Sequence, residues 1–152
     1  MEIVLVDPEI PQNAGCIARM CAATGNRLHL AGKVSFSMDD RYLKRAGLDY
    51  WPSVCVGIHR DLDAFLDAFS GRNVFFFTKK AGHLYTETKY TTNDVFVFGS
   101  ESSGLSHEVL ERFPDQLRAI PIRSGVRSLN LSGAVHVVVF HAMAQNGFEG
   151  IL

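Results

Sequence analysis

The residues best suited to chemistry cluster between Val95 and Phe140, in the run VFVFGSESSGLSHEVLERFPDQLRAIPIRSGVRSLNLSGAVHVVVF. Two short apolar stretches, Val95 to Phe98 and Ala119 to Ile122, each lead straight into a loop of glycine, serine and charge, and a long apolar helix follows. In an open α/β sheet, ligands bind where such loops leave the carboxyl ends of the strands. The loops Gly99 to Ser106 and Arg123 to Ser128 therefore nominate one ligand crevice.

Gly99 and Gly104 are spaced G-x-x-x-x-G with Ser106 behind them, as in a phosphate-cradling loop. The lysine is missing. Leu105 stands where that cation would reach the terminal phosphates, and Glu101 adds a negative charge that repels a triphosphate at close range. A nucleoside ligand without phosphates suits these residues better. The bland alternative is that the two glycines only shape a turn before a helix starting near Ser106. Other chemistries find less support. No G-x-G-x-x-G follows the first strand, which disfavours a nicotinamide-dependent oxidoreductase. HEVLE at His107 to Glu111 lacks the second histidine of a zinc-protease helix. His136 and His141 have no second ligand cluster beside them and read as packed or interface histidines. No metal site, Ser-His-Asp set or internal repeat is expected.

With 152 residues, 47% of them hydrophobic, the chain reads as a single domain over 1–152 with enough material for a proper core. A net charge of -1 does not announce a nucleic-acid binder, so any such surface must be a local patch. No apolar run is long enough to cross a bilayer, and MEIVLVDPEIPQN lacks the basic start and small-residue cleavage site of a signal peptide; a cytoplasmic location is expected. Cys16, Cys21 and Cys55 form no CxxC pair, suit a reducing compartment and are expected to be packing residues.

The elements that must position the loops follow in chain order. Ile3 to Val6 reads as a buried parallel strand. A helix then begins with Pro11 in its first turn, carries Ile17, Met20 and Cys21 on one face, and ends at Gly25. Asn13 sits at its mouth; Arg19, six residues on, is rotated by about 240° and takes a different face. Arg27 to Ala31, Val54 to Ile58 and Val74 to Thr78 read as strands, Leu62 to Phe69 as a short helix, and Phe75, Phe76 and Phe77 as core. Within DDRYLKRAGLDYW, Arg41, Lys44 and Arg45 fall at i, i+3 and i+4, on one helical face with Tyr42, Tyr50 and Trp51 nearby. That mixture suits phosphate contact and base stacking, and equally suits a solvated helix with Trp51 in the core. The last helix, from about Asn130 to Gln145, is capped by Asn130 or Ser132. It is apolar almost all round, with Val135, Val137, Val138, Val139, Phe140 and Met143, and this predicts a homodimer through it. The alternation of strand and helix implies a mostly parallel sheet with helices on both faces.

Three stretches, PQNAGCIARMCAATG at Pro11 to Gly25, FVFGSESSGL at Phe96 to Leu105 and IPIRSGVRSLNLSGAV at Ile120 to Val135, resemble in order and spacing the motifs of the SPOUT, or α/β-knot, RNA methyltransferases of the SpoU class. The resemblance covers essentially the whole chain, and DDRYLKRAGLDYW is similar to a segment of the small TrmL-type members, which methylate the ribose 2′-oxygen of the tRNA wobble nucleotide, a cytidine or modified uridine. It implies an α/β fold with a C-terminal trefoil knot, S-adenosylmethionine as methyl donor, tRNA as partner and a homodimer. Carried over by motif, the donor would lie against Phe77 and Thr78, the loop at Gly99, Glu101 and Gly104, the segment Ile120 to Ile122, and the turn at Ser128 and Leu129, with Asn130 fixing the last turn. The absent lysine then makes sense, since the donor has no phosphates and carries a sulfonium cation.

Arg19 matches the family's motif-one arginine, assigned a catalytic role. A guanidinium stays protonated at ordinary pH, so it would orient the neighbouring phosphate and stabilise developing alkoxide charge, leaving the proton to the RNA phosphate or a water. The resemblance also implies that Asn13 and Glu101 hold Arg19 and that Ser128 contacts both donor and substrate. RNA would be gripped by Arg41, Lys44, Arg45, Lys79, Lys80, Arg123 and Arg127, with no appended RNA-binding domain. Departures from the family pattern are Gln12 before Asn13, SESSG without a proline or arginine, and Gly133 in the first turn of the last helix. The same chemistry on another tRNA or ribosomal ribose, and an RNA-binding module without turnover, remain open alternatives.

Overall fold

The computed structural model describes residues 1–37 and 54–151. The basic face of Arg41, Lys44 and Arg45, with Tyr42, Tyr50 and Trp51, lies outside the described residues. Six strands, β1 (Glu2–Val6), β2 (Arg27–Ala31), β3 (Val56–His59), β4 (Val74–Phe77), β5 (Val95–Phe98) and β6 (Leu117–Arg118), form one sheet among the described residues. Its order is β3-β2-β1-β5-β4-β6, and every paired neighbour runs parallel. The carboxyl ends of the strands thus all face the same way.

Helices cover both faces. On one, Ile3, Leu5, Leu28, Leu30, Phe96 and Phe98 pack under α1 (Pro11–Thr24) and α4 (Leu131–Gln145), through Ile17, Met20, Val135 and Val138. On the other, Val4, Phe76, Val95 and Val97 meet Leu62 and Phe65 of α2 (Leu62–Ala68), with Val109 and Leu110 of α3 (His107–Arg112) alongside. Burial on both sides explains the apolar runs Ile3 to Val6 of β1 and Val95 to Phe98 of β5.

Several boundaries differ from the sequence-based expectation. Strand pairing falls at Leu117–Arg118 rather than Ala119 to Ile122; Ala119 keeps only a bridge to Leu84, and Pro121 has no N–H to offer a ladder. Strand β3 starts two residues later than Val54, where its register with Leu28 to Ala31 begins. Of the cysteines, Cys21 alone packs inside, its thiol pushed up to about 12 by burial, whereas Cys16 and Cys55 are exposed. Helix α4 buries Val135, Val138, Val139, Ala142 and Met143, yet Val137 and Phe140 are 40% and 45% exposed. No helix among the described residues is long and apolar enough to cross a membrane.

Candidate active site

A cleft of about 410 Å³ opens at the carboxyl ends of β4 and β5, walled by the loops after them, by residues 120–131 and by the mouth of α1. That volume suits a ligand of nucleoside size or larger. Phe77, Thr78, Gly99, Glu101, Gly104, Ile120, Ile122, Ser128, Leu129 and Asn130 all line it, as do Asn13, Lys79, Lys80 and Arg127. Phe77 and Phe98 stack at 4.7 Å between ring centroids where the strands end, giving the cleft an apolar base.

The loop after β5 is folded tightly on itself. Ser100 and Gly104 exchange backbone hydrogen bonds of 3.3 and 2.9 Å, and Gly104 turns the chain with φ +70°. A Cβ on Gly99 would stand 2.1 Å from the carbonyl carbon of Gly104, so no other residue fits there without moving backbone. Leu105, at the position of a phosphate-binding lysine, is buried in the core instead.

Glu101 and Asn13 together join the three motif segments. The Glu101 carboxylate accepts from the backbone N–H of Glu9 (2.8 Å) and Ile10 (3.1 Å) and from Asn13 Nδ2 (3.0 Å). Helix α1 opens at Pro11 with no side-chain cap of its own, so a carboxylate from the β5 loop sits at its positive end. Asn130 Nδ2 donates to Asn13 Oδ1 at 2.9 Å, while Asn130 Oδ1 accepts from the N–H groups of Ser132 and Gly133 and caps α4. With three donors on its oxygens, Glu101 works as an anchor for neighbouring groups.

The other nominated residues are more dispersed. Arg19 lies on the exposed face of α1 and does not line the cleft. Lys79 donates from Nζ to the Arg127 carbonyl at 3.0 Å, tying the β4 loop to the 120–131 wall and setting cations at the mouth. Arg123 is exposed on the turn that Gly125 closes with φ +87°. His136 Nδ1 lies 2.6 Å from the Ser132 carbonyl, His141 pairs with Gln145, and His107 faces Glu111 at 3.2 Å. Among the described residues, no group of three His, Cys, Asp or Glu is placed to hold a metal ion. Sequence reasoning missed Glu9, which accepts from Ser102 across 93 residues. No local spacing signals such a pair.

The lining suits an adenosyl ligand: apolar walls at Phe77, Ile120, Ile122 and Leu129, and a Gly99 to Gly104 loop that carries the Glu101 carboxylate and is followed by Leu105 where a phosphate site would need a lysine.

The model of the SpoU rRNA methylase family matches residues 1–140. A tRNA (cytidine(34)-2′-O)-methyltransferase of Burkholderia ambifaria is 48% identical over 151 residues, covering 97% of each chain. A solved structure described as giving insight into 2-OH methylation of C/U34 on tRNA superposes with a TM-score of 0.89, at 45% identity, covering 96% of this chain and 95% of that one. The SpoU methyltransferase AviRb of Streptomyces viridochromogenes, solved with S-adenosylmethionine, shares the fold with a TM-score of 0.82 at 20% identity, over 96% of this chain and 57% of its own.

Proposed function

The chain belongs to the SpoU rRNA methylase family, and from that premise we propose that it methylates the ribose 2′-hydroxyl of the wobble nucleotide of tRNA, a cytidine or modified uridine, using S-adenosylmethionine. The observation that carries this reading is the convergence of all three motif segments on one cleft through Glu101, Asn13 and Asn130. Near-full-length similarity to tRNA cytidine-34 methyltransferases supplies the substrate.

S-adenosylmethionine supplies an activated methyl group on a sulfonium. This chain's residues would hold it against Phe77, Thr78, Gly99, Glu101, Gly104, Ile120, Ile122, Ser128, Leu129 and Asn130. Much of the rate then comes from aligning the two reactants for in-line displacement. Arg19, on the exposed face of α1, orients the substrate phosphate and stabilises alkoxide charge; as a permanent cation it does not remove the proton. Ser128, in the cleft wall, touches donor and ribose. Arg123, Arg127 and the Arg41, Lys44 and Arg45 face grip the RNA backbone.

The active form in this reading is a cytoplasmic homodimer of single-domain chains with a trefoil-knotted C-terminal half. Val137 and Phe140, large apolar side chains exposed on a helix whose other face is buried in the core, support pairing through α4.

The test is transfer of labelled methyl from S-adenosylmethionine to tRNA lacking its wobble methylation, with the product mapped by nuclease digestion and mass spectrometry. The expected product is a 2′-O-methyl at the wobble nucleotide. Label at another ribose would move the substrate, and donor binding without transfer would favour a module that only binds RNA.

A further inference from the structure

The loop that carries Glu101 has an outer arm, Ser102 and Ser103, that is exposed to solvent. Glu9 holds it: one carboxylate oxygen accepts from Ser102 N–H at 2.9 Å, the other from Ser102 Oγ at 2.7 Å. In return the Glu9 N–H donates to Glu101. The two glutamates therefore anchor each other's backbones, closing a ring of hydrogen bonds between the loops that leave the adjacent strands β1 and β5.

One side of this ring is fixed by strand β2. Asp7 N–H donates to the Ala31 carbonyl at 2.9 Å, the Asp7 carboxylate accepts from Lys33 N–H at 2.7 Å, and the Pro8 carbonyl accepts from Ser35 N–H at 3.0 Å. Asp7 takes a left-handed backbone, φ +48°, to make this path, and Gly32 is the residue that leaves room for its carboxylate. Glu9 is thus half-buried on a pinned segment, while Ser102 is exposed and belongs to the cleft wall.

We propose that Glu9 is a positioning residue for the methyl-donor cleft, acting through Ser102 to hold the Gly99 to Gly104 wall in its ligand-ready shape. The inference rests on the methyltransferase reading above. Both hydrogen-bond donors of Ser102 are turned toward Glu9, so the clasp sets where the wall stands and, with it, where Gly99 and Glu101 line the cleft. Without it, the wall keeps the Glu101 bonds but loses its outer tether, and part of the donor's binding free energy goes into ordering the loop.

The experiment compares Glu9→Ala, Glu9→Gln and Ser102→Ala with the wild-type protein, measuring S-adenosylmethionine affinity by calorimetry, steady-state methyl transfer and the thermal midpoint. Glu9→Ala should weaken donor binding about tenfold, as expected for two lost hydrogen bonds, with KM for the donor moving more than kcat. Glu9→Gln should bind within about twofold of wild type, because its amide can accept from Ser102 N–H and donate to Ser102 Oγ. Ser102→Ala, which keeps the backbone bond, should fall between them. Donor affinity unchanged in Glu9→Ala, or a lowered midpoint without an affinity change, overturns the proposal. So does equal loss in Glu9→Ala and Glu9→Gln, which would point to charge rather than tethering. Should Glu9→Ala fail to fold, the ranking of Glu9→Gln above Ser102→Ala decides. Failure of the wild-type protein to bind the donor would sink the functional reading instead, and amide exchange at Ser102, faster in Glu9→Ala but not in Glu9→Gln, still reads the clasp.

Discussion

Asn13 and Asn130, 117 residues apart in the chain, meet side chain to side chain at 2.9 Å, and neither amide can turn over without loss. Asn13 is buried, its Nδ2 committed to Glu101 and its Oδ1 to Asn130 Nδ2, while Asn130 Oδ1 caps α4. Substituting Asn130→Asp keeps the cap but sets an acceptor against Asn13 Oδ1. Flipping the Asn13 amide to meet it would turn an oxygen toward Glu101. The charge gained at the start of α4 contributes about 0.3–1 kcal/mol, whereas leaving the buried amide unmatched costs about 1–3 kcal/mol. Urea denaturation of Asn130→Asp should therefore show a net loss of stability, and an unchanged midpoint would mean that the Asn13 contact contributes little.

Arg19 is exposed on α1 and stands outside the cleft lining. Arg19→Ala should therefore retain donor binding by calorimetry and lose methyl transfer by about 100-fold or more, the scale of removing one electrostatic contact to developing charge. Near-normal turnover in this variant would remove Arg19 from the chemistry.

The sheet was legible in the sequence where strands show as a plain apolar run, as Val95 to Phe98 does for β5, or as an alternation, as Arg27 to Ala31 does for β2; both spans coincide with the strands. Pro11 and Gly25 punctuated α1 correctly, since each conformational demand is local. The apolar run before the second loop misled because AIPI contains a proline, and the ladder had closed at Leu117 and Arg118. The site's linkages were not legible. Glu101 capping a helix about 90 residues away, Glu9 gripping Ser102 and Asn13 meeting Asn130 depend on which loops the fold brings together. Sequence spacing identifies residues able to bond and does not pair them.

A second network, away from the cleft, gives a pH prediction. Glu2 is 4% exposed and accepts from His29 Nε2 at 2.8 Å and Arg72 at 2.7 Å, with His29 Nδ1 3.0 Å from His59 Nε2. Burial alone would raise the Glu2 carboxyl; the hydrogen bonds and positive charge of His29 and Arg72 outweigh it and hold the group at about 2, below its ordinary 4.5. A carboxyl with a depressed folded value stabilises fully above the unfolded value, and that contribution is lost as pH falls from 4.5 toward 2. The stability advantage of wild type over Glu2→Gln should shrink as pH falls across that acid window. A difference independent of pH would mean that packing, rather than ionisation, sets the contribution of Glu2.

The last prediction separates two sets of cations. Each phosphate contact released lowers the slope of log affinity against log salt by about 0.7 to 0.9, whatever the RNA sequence. Arg123 and Arg127 stand on the exposed turn beside the cleft, whereas Arg41 and Arg45 are nominated by their helical spacing and by the family resemblance of their segment. If both sets hold the tRNA backbone, the double variants Arg123→Ala with Arg127→Ala, and Arg41→Ala with Arg45→Ala, should each flatten the slope by about 1.4 to 1.8 units. Folding and donor affinity serve as controls, because Arg127 also offers its carbonyl to Lys79 and that bond survives truncation of the side chain. A pair that weakens binding without changing the slope acts through something other than phosphate, and a pair that changes neither is a solvated surface. Since the net charge of the chain is only -1, any slope at all must come from such local patches.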